Sequence, residues 1–73
     1  MDPIKLIYDP AGHTLTIWFD DPEKEDVCEE TAEELVLMKD SGGRVIGVEL
    51  LGYHPRGKGG ALAVETVVLG EAG

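Results

Sequence analysis

LVLMKDSGGRVIGVELLG, running from Leu35 to Gly52, is the stretch that decides the fold. Two short apolar runs flank Asp40-Ser-Gly-Gly43, and apolar residues alternate along both. Strict alternation places every second side chain on one face of a strand. With residues 40–43 as the loop, Lys39 faces Arg44, Leu37 faces Ile46 and Leu35 faces Val48. Leu35, Leu37, Ile46, Val48 and Leu50 then build one buried face, which a one-residue slip would turn toward water. Asp40 is placed to cap the turn, and Gly42 or Gly43 to take positive φ.

The same turn chemistry occurs earlier, at Asp9-Pro-Ala-Gly12. Ile4, Leu6 and Tyr8 share a face before it. After it, Leu15, Ile17 and Phe19 share one face while Thr14, Thr16 and Trp18 take the other. β-Branched and aromatic content suits strands in both runs. With residues 9–12 as the loop, Tyr8 faces His13, Leu6 faces Leu15 and Ile4 faces Ile17, so turn length and side-chain parity agree. Pro10 holds φ near the value such a turn needs. The fold class that follows is mainly β. A small antiparallel sheet is built from two consecutive hairpins, with strands near 4–8, 14–19, 35–39 and 44–51.

Two segments read less directly. Thr31-Ala-Glu-Glu34 has the form of a helix capping box, but Leu35 to Met38 runs straight into the Asp40 turn. Strand is therefore expected for 35–39, with a short helix or an edge strand near 26–34. The run from Ala61 to Leu69 has no helical stripe and carries Val64, Thr66, Val67 and Val68. It reads as a C-terminal strand near 61–69, pairing with its own sheet or with another subunit's edge. Gly57, Gly59 and Gly60 give it a flexible lead over 57–60. The whole is one domain, 1–73: a hairpin sheet over 1–56, the Gly-rich lead, then the strand and tail.

Seventy-three residues lie near the lower end of what folds unaided. Cys28, the only cysteine, cannot form a disulfide within the chain, and no Cys/His cluster stands at zinc spacing. Partner surface is the remaining source of stability, so a homo-oligomer, dimer or higher, is expected. The N-terminal MDPIKLIYDP lacks a basic start followed by an apolar stretch, and no later run is long enough to cross a bilayer. Cytoplasmic localisation without membrane contact is expected, which a single unpaired cysteine fits.

Formal net charge is −9, from fifteen acids against six bases. Nine of those acids lie between Asp20 and Glu34, opposed there only by Lys24, so this stretch alone carries −8. Such a surface repels phosphate backbones and excludes nucleic acid as a partner class. It attracts a basic protein, and the bland alternative is a solvated connection that keeps a small β protein soluble.

At this point the residues resemble a known family. YDPAGHTLTIWF, Tyr8 to Phe19, is similar to the Tyr-Asp-Pro hairpin that begins DUF2283 proteins. LVLMKDSGGRVIGVELLG resembles their closing hairpin, an apolar strand, an Asp/Gly turn and an apolar-Gly-apolar-Glu-apolar string. The likeness covers roughly residues 4–52. Gly12-His13 departs from a frequent acid and alanine, and Met38-Lys39 from a frequent Asp-aromatic pair. The resemblance implies a small, mostly prokaryotic protein of unknown function, with neutralisation of a toxin partner as a family-level idea.

Candidate chemistry is sparse. His13, expected opposite Tyr8 and near Asp9, offers an imidazole beside a phenol and a carboxylate. No nucleophile or oxyanion element joins them, so a locally bonded turn histidine is the better reading. His54 lies in a loop-like string, Tyr53-His-Pro-Arg-Gly, distant from His13 in sequence. Cys28 has no Cys-x-x-Cys partner or adjacent base and reads as a structural residue or bystander. Asp20, Asp21, Glu23, Glu25 and Asp26 offer many oxygens but not the ligand order or central glycine of an EF-hand. No metal and no cofactor is expected.

Glu49 and Trp18 are the sharper candidates. Glu49 points away from Ile46, Val48 and Leu50, onto the face of Gly47 and Leu51. Gly47 leaves room beside it for another group. Trp18 stands outward with Thr16, and an exposed tryptophan commonly anchors an interface. The leading expectation is a non-enzymatic interaction or regulatory module, antitoxin-like in one form. Its contact residues are Trp18, Glu49, Asp20, Asp21, Glu23, Glu25 and Asp26. A self-assembling structural protein is the alternative, and a small enzyme using His13 the weakest.

Overall fold

The computed structural model describes residues 3–56 and 62–70. Five strands form one antiparallel sheet: β1 (Lys5–Asp9), β2 (Thr14–Trp18), β3 (Val27–Glu30), β4 (Leu35–Lys39) and β5 (Val45–Leu51). Their order across the sheet is β1-β2-β5-β4-β3, so the VIGVELL strand lies at its centre. Among the described residues the only helical element is one 3₁₀ turn, Pro22–Lys24. None of them forms a helix long and apolar enough to cross a membrane.

The first hairpin keeps its four-residue connection but moves it along by one residue. Asp9 pairs with Thr14, Tyr8 with Leu15 and Leu6 with Ile17, leaving residues 10–13 as the loop. Moving both ends by one residue preserves parity, so the expected faces survive although each expected partner changes. The cause lies in Asp9, whose Oδ1 accepts from Ala11 N at 3.0 Å and Gly12 N at 3.1 Å. Asp9 thus caps the turn from within the ladder. The left-handed position falls to His13, at φ 55°.

The second hairpin departs further. Asp40 N donates to Arg44 O, and Gly43 N donates back to Asp40 O, so the loop closes over three residues. Gly43 takes φ 82°, the left-handed position such a loop requires. Asp40 Oδ1 accepts from Gly42 N and Arg44 N, as the capping expectation held. A bulge then follows: Lys39 pairs with Val45, but Met38 pairs with Gly47. Beyond it Leu37 faces Val48 and Leu35 faces Leu50, not Ile46 and Val48. Two one-residue changes cancel in parity, and the apolar set again shares a face.

Residues 26–34 resolve in favour of the edge strand. Val27–Glu30 pairs antiparallel with β4, and Thr31 N donates to Leu35 O at the turn. The Thr31 hydroxyl, 2.9 Å from Leu35 O and 3.1 Å from Glu33 O, closes that turn rather than capping a helix. The C-terminal strand near 61–69 is a correction. Residues 62–69 have no regular secondary structure and pair with no strand of the chain. Chain alternation and β-propensity are there, but an unpaired strand has no ladder to satisfy its backbone. The Gly-rich lead 57–60 lies outside the described residues, as does Ala61.

The two faces of the sheet differ. One carries Leu6 and Tyr8 on β1, Leu15 and Ile17 on β2, and Val48 and Leu50 on β5. Leu35 and Leu37 on β4 and Glu29 on β3 complete it. At its β3 margin Lys39 and Glu29 form an ion pair. The opposite face carries Lys5, Trp18, Gly47, Met38 and Cys28 in one row. Ile7, Thr16, Glu49, Val36 and Glu30 form the next. Among the described residues only Leu15, Met38, Ile46 and Gly47 are buried. Met38 belongs to the face not expected to bury anything, because Trp18 covers the neighbouring position.

Candidate functional site

Trp18 and Glu49 meet on one face, in adjacent rows. Pairing of β2 with β5 sets Trp18 beside Gly47 and Thr16 beside Glu49. A Cβ at Gly47 would lie 2.6 Å from the Trp18 ring and 3.1 Å from Ile17 O. The room that Gly47 provides is therefore taken by Trp18 itself, which is half-buried instead of standing free. Glu49 Oε2 accepts from Thr16 Oγ1 at 3.3 Å, a cross-strand bond within this half-buried patch. Cys28 lies at the β3 end of the Trp18 row, with Met38 between.

The acidic segment connects β2 to β3 by crossing one end of the sheet. Asp20 N approaches Ile46 O at 3.4 Å, and Asp26 N donates to Lys39 O at 2.8 Å, fixing the crossing at both ends. Several of its carboxylates are engaged in holding the connection. Asp20 Oδ1 accepts from Asp21 N at 2.7 Å and pairs with Lys24 Nζ at 3.3 Å. That backbone hydrogen bond, with Lys24 second, holds the Asp20 carboxyl below the usual aspartate range. Asp21 Oδ1 accepts from Glu23 N and so caps the 3₁₀ turn. Glu25 accepts from the Cys28 thiol at 2.6 Å. The side chains of Glu23 and Asp26 accept no hydrogen bond from the described residues, and both residues are exposed.

The Glu25 hydrogen bond raises the Cys28 thiol above its ordinary range, with a smaller contribution from desolvation. A thiol kept protonated by a carboxylate is a poor nucleophile. Cys28 is free and exposed. Around Asp20 and Asp21, a partly open cavity of about 250 Å³ is lined by Pro3, Lys5 and Pro22 as well. Its mouth is wide and it holds no nucleophile–base pair.

His13 does not face Tyr8, whose partner is Leu15. It meets His54 instead: the two rings lie 4.3 Å apart at 41°. Tyr53 N donates to His13 O at 2.7 Å, and the Tyr53 ring sits edge-on to Tyr8 at 6.1 Å. Sequence distance concealed this pair, because nothing in Tyr53-His-Pro-Arg shows that β5 overruns its end to reach the first turn. The Asp9 carboxylate expected near His13 is spent on the turn. Among the described residues no group of three or more His, Cys, Asp or Glu side chains could hold a metal ion.

The family model described as a protein of unknown function, DUF2283, matches residues 5–53. That is more than half of the chain, which therefore belongs to this family. No curated protein and no solved structure matches it.

Proposed function

We propose that this DUF2283 protein is an interaction module that performs no chemistry of its own and whose working surface is the apolar face of its single sheet. One observation carries the reading. Among the described residues the structure is one layer of sheet with no helix packed on either face. With three buried side chains, the sheet lacks the second layer against which a domain normally closes its core. A second copy supplies that layer when two sheets stack through Leu6, Ile17, Val48 and Leu50. The Glu29–Lys39 ion pair then marks the polar rim.

Sedimentation velocity across a hundredfold concentration range tests this. The expected result is a species of twice the chain mass at micromolar concentration. A monomer throughout, with native near-UV dichroism, overturns it.

The acidic segment supports a second contact, to a basic protein. Glu23 and Asp26 present carboxylates that the connection itself does not use, and the surrounding net charge steers a cationic partner. In the finer form of this reading the partner is silenced by the complex, as in a toxin–antitoxin pair, within a reducing cytoplasm. Capture of a basic neighbour that weakens when Glu23 and Asp26 become Gln and Asn, more at low salt than high, is the expected outcome. Capture indifferent to both changes counts against it.

A further inference from the structure

We infer that β1 is a self-pairing edge, through which two copies of this chain join antiparallel into one continuous sheet, five strands from each. This contact is separate from the stacked faces proposed above, because it uses an edge and leaves the apolar face open. The sheet has two edges, β1 and β3. Along β1, Leu6 and Ile7 are 37% and 47% exposed, and no backbone hydrogen bond joins the outer side of the strand to another described residue. Such an edge is a template for a further strand. The β3 edge is guarded by charge, since Glu29 and Glu30 follow Asp26 and a copy of that edge would bring like charges together.

The β1 sequence, KLIYD, complements its own reverse. Lys5 and Asp9 stand symmetrically about Ile7. With Ile7 opposite Ile7 of the second copy, Lys5 falls opposite Asp9 and Leu6 opposite Tyr8, each twice by symmetry. Directly opposed residues share a face. Leu6 and Tyr8 therefore continue the apolar face across the joint, while Lys5, Ile7 and Asp9 meet on the other. Lys5 borders the cavity with Asp20 and Asp21 but forms no ion pair with either. Asp9 caps its turn through Oδ1, which leaves Oδ2 for the ammonium of the other copy.

Prolines fix the register. Pro3 and Pro10 flank the strand. A two-residue slip sets Pro10 opposite Leu6 in one direction and Pro3 opposite Asp9 in the other. Either slip removes a ladder donor and parts the charges. A one-residue slip turns one copy's apolar face to the opposite side of the joint sheet. The contact is isologous, so it closes at two copies. Pairing of two strands alone is marginal in water, so the joint forms at higher concentration than stacking and a covalent trap is the means of seeing it.

The test uses the full chain in a Cys28→Ser background with Ile7→Cys as its only thiol. Under mild oxidation, a dimer linked by a disulfide at residue 7 is the expected product. Ile7 lies on the face away from the stacked surface, so stacking alone does not bring two copies of residue 7 together. Lys5→Glu should cut the yield several-fold by setting Glu against Asp9. Adding Asp9→Asn, which keeps an acceptor oxygen for the turn, should recover part of it. Glu30→Cys, placed in the same background on the guarded edge, is the collision control and should stay reduced. Equal yields at positions 7 and 30, or a yield at 7 indifferent to Lys5→Glu, overturn the inference. No disulfide in a chain that still sediments as a dimer also overturns it and leaves the stacked-sheet reading intact. A charge-sensitive disulfide in a chain that otherwise sediments as a monomer supports the edge joint and removes the stacking. No disulfide together with a monomer overturns both.

Discussion

Among the described glycines Gly47 leaves the least room for a side chain, because Trp18 lies over it, and the consequence is local. Adding a methyl at Gly47 drives it into an indole and a backbone carbonyl, neither of which yields cheaply. Gly47→Ala should cost about 1–3 kcal/mol, the usual range for overpacking, measured by urea unfolding. With Trp18→Ala present, the added cost of Gly47→Ala should shrink, since the ring it strikes is gone. Equal costs in both backgrounds would place the strain at Ile17 O alone. Sequence inspection identified Gly47 as a gap beside Glu49 but not its occupant. Parity puts Trp18 on that face, yet only the pairing of β2 with β5 puts it on that residue. His13 shows the same limit in reverse: its residue type suggested chemistry, whereas its φ of 55° assigns it a turn position.

At the scale of elements, the alternating runs and both Asp-containing turns were legible, and so were the faces. Absolute register was not. Parity is blind to shifts of two residues, and the first hairpin differs from expectation by that amount. In the second, loop length and bulge each contribute one residue. Gly43 is the pivot of that arrangement, with positive φ and open space around it. Gly43→Ala should therefore destabilise through backbone strain alone, by about 1–2 kcal/mol. Gly42→Ala, at a position without positive φ, should cost less. Comparable losses from the two would argue against the three-residue loop. The edge strand β3 was within the expected alternatives because Val27 to Thr31 can serve either as loop or as strand. Its pairing with β4 was settled by the Thr31 turn. The C-terminal run failed as an intramolecular strand because propensity describes what a segment tolerates, not what lies beside it.

For the whole molecule, a core this small concentrates stability in few side chains. Ile46 is 1% exposed, the most buried of the core side chains described. Ile46→Ala should cost about 2–4 kcal/mol, a large share of the total for any small domain. If copies associate, its unfolding midpoint should also rise with protein concentration, because association stabilises only the folded form. A midpoint independent of concentration would indicate a self-sufficient monomer. The single layer behind this expectation was out of reach of the sequence, which cannot say whether alternating strands fold into one layer or two. The single tryptophan supplies a further use for the Trp18–Gly47 contact. Both hairpins close over short chain separations, whereas the seam between β2 and β5 joins pairs separated by 29 (Trp18 and Gly47) to 37 (Thr14 and Leu51) positions. Loop closure over that span should make the seam slower to form than either hairpin, and Trp18 is the fluorophore seated on it. A Trp18 emission change in the slow phase of stopped-flow refolding is the expected signature, and its completion in the fast phase would count against this order.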